Sequence, residues 1–254
     1  MNQVSTDGQL IRLAGFGTRA LGIEDPDLLN LHGEISNYYQ KLEADPMFAE
    51  LPTLLNYSFS SAKPEVGKAT VYQPKQINDQ TRTIVFLHGF GGSFHYYLHY
   101  MISCFPDDII ICPVYGLSPY KIEHQYVQEA IEAGLQKIEG QPNGKPYLVC
   151  LSAGGFGGYR LAASYPQEYP KLVVMGAGPP DDLPKVIRSE VRLLVGAEEA
   201  FYKYGDLRDD LKNTIAKGQV KGHAIKGAGH FFMMTHKDET RRVLKGWLNR
   251  DLEN

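Results

Sequence analysis

From about residue 68 onward, seven short β-rich runs punctuate the chain, the middle ones apolar almost throughout. They are KATVYQP (68–74), TRTIVFLH (81–88), DDIIICPVY (107–115), KPYLVCL (145–151), KLVVMGA (171–177), VRLLVGA (191–197) and VKGHAIK (220–226). Hydrophobicity that is continuous in the middle runs, rather than alternating, is the mark of strands covered on both faces. Between the runs, residues 93–104, 122–139, 153–165, 206–217 and 237–249 have helical length and spacing. Alternation of the two predicts an α/β fold with a doubly wound, mostly parallel central sheet flanked by helices.

The first 67 residues have a different texture. Helical stretches there start at Asp25-Pro26 and Asp45-Pro46, with proline at the first helical position after an acidic residue. The expected organisation is an N-terminal extension over 1–67 packed on a core domain over 68–254. The extension serves either as a layer that completes the core or as a wall over a site, and covering is the commoner role of such additions.

Length and composition add little against this picture. At 254 residues and 43% apolar content, the chain has room for one large core or two small ones, and its length favours one α/β domain. A net charge of −3 with interspersed signs gives no surface for nucleic acid or anionic lipid. No run reaches the length a bilayer requires and no signal-peptide pattern opens the sequence, so a cytoplasmic protein without a membrane span is expected. Cys104, Cys112 and Cys150 lie in apolar segments and read as buried free thiols.

The chemistry concentrates at YLVCLSAGGFGG (147–158), where a strand-like run stops at Ser152 and a glycine-rich helix begins. A serine at such a junction sits on the carboxyl edge of the sheet, facing a helix N-terminus that favours negative charge. The nucleophile elbow G-x-S-x-G is matched in part, with Gly154 in the second glycine position and Cys150 in the first. A serine there is equally suited to capping the helix. A second motif, His88-Gly89-Phe90-Gly91-Gly92-Ser93, follows a strong strand and presents backbone N–H groups of the sort an oxyanion needs, so Phe90 and Ala153 form the candidate donor pair. Gly91 and Tyr115 are the candidate substrate contacts, Tyr115 lying with Tyr120 and Tyr126 in segments where plain aromatic packing is also expected.

A base is expected after the last strand, and His230 in GAGHFF holds that place. Its orienting acid is Glu199, three residues beyond Gly196, with Glu198 as the alternative. His95 and His99 have the i, i+4 spacing of a zinc pair, but Tyr96 stands where a metalloprotease needs glutamate, and no metal is expected.

With HGFGGS, CLSAGG, GAEE and GAGH in this order, the chain resembles the α/β-hydrolase superfamily across roughly residues 68 to 250. The resemblance implies a Ser152–His230–acid triad, an ester or related acyl substrate and no cofactor. Only GPPDDLPKVIRSE separates the fifth and sixth strand runs, which leaves no room for a cap domain at that point. The reading that competes is a non-catalytic small-molecule binding protein on the same fold, and no triad member has been lost to favour it. The sequence does not indicate an oligomeric state.

Overall fold

Each of the seven apolar runs forms a strand. The structure is a computed structural model and describes residues 42, 44–50, 69–89, 94–113, 124–183, 187–201, 205–207 and 220–248. The strands are β1 (Ala69–Tyr72), β2 (Arg82–Leu87), β3 (Ile109–Pro113), β4 (Asn143–Leu151), β5 (Lys171–Met175), β6 (Glu190–Gly196) and β7 (Lys221–Ile225). They make one sheet in the order β1-β3-β2-β4-β5-β6-β7. Only β1 runs antiparallel, pairing with β3 from Ala69 opposite Pro113 to Tyr72 opposite Ile110. The other pairings are parallel.

Continuous hydrophobicity has the cause expected of it. Along the central strands, alternate residues enter two separate cores: Ile84, Phe86, Val149, Leu151, Val173 and Met175 on one face, and Val85, Leu87, Leu148, Cys150, Leu172 and Val174 on the other. The first core is covered by helices α1 (Pro46–Glu50), α2 (Phe94–Cys104), α5 (Phe232–Thr235) and α6 (Lys237–Leu248). Helices α3 (His124–Leu135) and α4 (Ala153–Ser164) cover the second. The topology is therefore doubly wound. α3 ends four residues short of the run that predicts it; beyond it the chain tightens into i→i+3 bonds, Lys137 N to Gly134 O and Ile138 N to Leu135 O, and Ile138 still packs against the second core. The predicted helix over 206–217 lies outside the described residues beyond Leu207.

The described part of the N-terminal extension packs onto α2. Asp45 Oδ1 accepts the Met47 N–H at 2.9 Å and so caps α1, with Pro46 at its first position as the Asp-Pro pair predicts. Asp45 Oδ2 accepts a hydrogen bond from His99 Nε2 at 3.0 Å, and the buried Phe48 meets the His99 ring edge-on at 5.6 Å. His99 is thus tied to a carboxylate of the extension, and among the described residues no cluster of three His, Cys, Asp or Glu side chains could hold a metal.

All three cysteines are buried and free. Burial pushes the Cys112 thiol up to about 12 and raises that of Cys150 as well, so neither is a thiolate at neutral pH. Among the described residues no helix is long and apolar enough to cross a membrane.

Candidate active site

Every predicted site residue that the structure describes lies at the carboxyl ends of the strands. Ser152 follows β4, Glu199 follows β6, and His230 follows β7. In open parallel sheets this is the edge where ligands bind.

The backbone of Ser152 has φ 50° and ψ −121°, and it is the one non-glycine residue with positive φ among those described. Such a conformation costs on the order of 1–3 kcal/mol and persists only where its surroundings impose it. Here the Ser152 N–H donates to Met175 O at 2.7 Å, and Ser152 O accepts from Gly155 N at 2.7 Å. The sharp turn ejects the side chain from the strand-to-helix path. Ser152 makes no side-chain cap on α4; its Oγ lies 2.9 Å from His230 Nε2.

His230 Nδ1 lies 2.8 Å from Glu199 Oε2 and 3.0 Å from Oε1. Glu199 Oε1 also accepts the Phe201 N–H at 3.1 Å. The Glu199 side chain has no solvent exposure, while that of His230 retains 12%. An Nδ1–H that donates to a buried carboxylate leaves Nε2 of the neutral imidazole unprotonated and able to accept the serine proton. Of the two glutamates that the sequence leaves open, Glu199 turns inward to the imidazole. Glu198 is exposed, and its N–H donates to Ala228 O at 2.9 Å.

Acid and base are held together by backbone. Ala197 N donates to Ile225 O at 2.8 Å and, with the Glu198 bond, zips the acid turn to the loop that carries His230. This approach explains Gly196, where a Cβ would fall 2.2 Å from Gly229 O and 2.3 Å from Ala228 O. Gly176, at φ 63°, has a similar role on the far side of the imidazole: a Cβ there would come within 3.2 Å of His230 Cε1 and 3.5 Å of Glu199 Oε2. Gly176 belongs to none of the motifs in the sequence that point to the site. A glycine ending the run KLVVM is the signal that marks a left-handed turn.

The elbow glycines are explained by different neighbours. A Cβ on Gly154 would lie 2.3 Å from Leu87 O and 2.5 Å from His88 O, so the start of α4 abuts the end of β2. Cys150 points into the opposite gap, toward α4, where Gly158 makes the space its sulfur fills. The missing first glycine is therefore accommodated by a glycine eight residues later.

Ala153 begins α4, and its N–H belongs to the first turn, where donors have no intrahelical acceptor. Beside it, the base of the glycine-rich loop comes close: a Cβ on Gly89 would sit 3.3 Å from Ser152 Cβ. Phe90 and Gly91, and Tyr115 on its separate segment, lie outside the described residues. His88 is buried, with Nδ1 2.9 Å from Gly89 O. Burial pushes its pKa down to about 3, against a smaller upward pull from that hydrogen bond, so the ring is neutral and its Nδ1–H braces the loop.

Aromatic rings flank the imidazole. Phe201 meets it at a centroid distance of 4.9 Å and 66°, and Phe231 at 5.5 Å and 84°. Neither ring is anticipated from the sequence pattern.

No family model matches the chain, and no curated protein does. Solved structures do. Carboxylesterase NP, the naproxen esterase of Bacillus subtilis, is 14% identical with a TM-score of 0.57 over 83% of this chain and 96% of its own. An α/β hydrolase enzyme from the metagenome of lagoon sediments at Mar Chica, Morocco, is 18% identical with a TM-score of 0.53, covering 76% of this chain and 99% of its own. An epoxide hydrolase of Vigna radiata is 10% identical with a TM-score of 0.54, covering 74% and 99%.

Proposed function

We propose that this chain, which has the α/β-hydrolase fold, is a serine hydrolase that cleaves a carboxylic ester, or a related thioester or acyl conjugate, through an acyl-enzyme. One observation carries the reading: a single imidazole bridges the hydroxyl of a serine held at φ 50° and a fully buried carboxylate. A serine that only capped a helix needs neither the strained backbone nor the base. Esterases and other hydrolases among the similar structures are in keeping with it.

In this mechanism Ser152 Oγ attacks the carbonyl carbon as its proton passes to His230 Nε2. The resulting imidazolium is stabilised by Glu199, which also fixes the tautomer. The carbonyl oxygen, now an oxyanion, takes the Ala153 N–H at the positive end of α4, with Phe90 N–H as the second donor. Collapse of the tetrahedral intermediate breaks the bond to the leaving oxygen, which receives the proton from Nε2. Water then repeats the sequence on the acyl-enzyme, giving up its proton to Nε2, and releases the acid with Ser152 restored. No step calls for a cofactor.

The test is covalent labelling by a fluorophosphonate followed by peptide mass analysis. Modification at Ser152 that is lost in Ser152→Ala is the expected result. A folded protein that takes up no label would instead point to the small-molecule binding protein on the same fold.

A further inference from the structure

We propose that Phe201 selects the alcohol portion of the substrate, favouring an aromatic or similarly flat apolar leaving group. This rests on the serine-hydrolase reading above and goes beyond it to a substrate class.

Phe201 is the one large hydrophobic side chain that is exposed among the described residues, at 43%. Its position is nevertheless fixed. The Phe201 N–H donates to Glu199 Oε1, and its ring packs edge-on against the His230 ring. Phe231, the other ring on the imidazole, is partly buried and packs against the core, so its place is accounted for by folding. Phe201 holds an apolar surface at the imidazole and leaves much of it open to solvent.

The chemistry of the reaction says which part of a substrate meets that surface. The tetrahedral centre on Ser152 Oγ carries three other substituents: the oxyanion, the acyl carbon and the leaving oxygen. The oxyanion is directed to the first N–H of α4. The leaving oxygen has to come within hydrogen-bond reach of His230 Nε2, since that nitrogen returns the proton. The group attached to the leaving oxygen is therefore delivered beside the imidazole, where Phe201 stands. An aromatic alcohol moiety stacks there at an offset or edge-on and covers part of the Phe201 surface that folding leaves exposed.

The experiment compares methyl and benzyl esters of one short acid, whose alcohols have about the same acidity and which share one acyl-enzyme. The quantity read is kcat/KM, which reports acylation. Phe201→Ala is expected to lower the benzyl-over-methyl ratio by about tenfold, and Phe201→Tyr, which keeps the ring, to preserve it. The pH profile is expected to stay that of the wild type, since both variants keep the Phe201 N–H that donates to Glu199 Oε1. An equal loss on both esters, or a shifted pH profile, would mean that Phe201 only orients His230 and would overturn the proposal. So would an unchanged ratio. Absence of fluorophosphonate labelling at Ser152 in the wild type is the separate result by which the hydrolase reading itself fails.

Discussion

Cys150 Sγ and Gly158 share one gap between β4 and α4, in which a Cβ on the glycine would lie 2.3 Å from the sulfur. The two are complementary in size, and the departure from the elbow pattern at Cys150 is absorbed two helical turns further on. Gly158→Ala is expected to destabilise the protein by ~1–3 kcal/mol through overpacking. The double variant Cys150→Gly, Gly158→Ala should recover part of that loss. A double-mutant cycle by chemical denaturation checks it, and additive effects of the two changes would contradict the coupling.

Glu199 and Glu198 are neighbours in sequence with opposite surroundings, one wholly buried against His230 and one in solvent. Glu199→Gln removes the charge that stabilises the imidazolium, and kcat on an activated ester should drop by about 10³- to 10⁴-fold. Glu198→Gln should leave kcat within about threefold, because it changes only an exposed side chain and keeps the backbone bond to Ala228 O. Steady-state kinetics of the two variants distinguishes them.

Gly196 separates the acid turn from the histidine loop, and the atoms that a side chain there would strike are backbone carbonyls, which cannot rotate away. Gly196→Ala should displace the loop and lower kcat by about 10²-fold, since a shift near 1 Å has that effect on a catalytic constellation. Fluorophosphonate labelling should slow in parallel.

His88 gives the protein an acid-sensitive element. Its folded pKa of about 3 lies below the ordinary 6.5, so between these values the unfolded chain binds more protons and stability rises with pH. The contribution is fully present above pH 6.5 and is lost as pH falls, amounting to about 2 kcal/mol by pH 5. His88→Asn keeps a donor for Gly89 O without the titration. The wild type should lose about 2 kcal/mol more than this variant between pH 7 and pH 5, measured by urea unfolding at each pH.

Much of this arrangement is readable along the chain because its causes are local. Strands buried on both faces leave continuous apolar runs, and Ser152, Glu199 and His230 each follow one such run at a small-residue turn. What escapes the sequence depends on neighbours distant along it. Cys150 appears as a flaw until Gly158 is seen beneath its sulfur. Gly176 and Phe201 surround an imidazole more than 25 residues away, and their relation to it arises from sheet order rather than spacing. The choice between Glu198 and Glu199 turns on which carboxylate faces inward, and alternate exposure within a single turn leaves no periodic trace.

Hydrolysis of p-nitrophenyl esters, from acetyl to long-chain acyl, by the wild type and Ser152→Ala side by side reads the nucleophilic role of Ser152 without intermediary. The wild type should turn over at least part of the series, with an initial burst of nitrophenol where deacylation is slow, and the folded variant should not. Equal rates from both proteins on every ester would contradict that role.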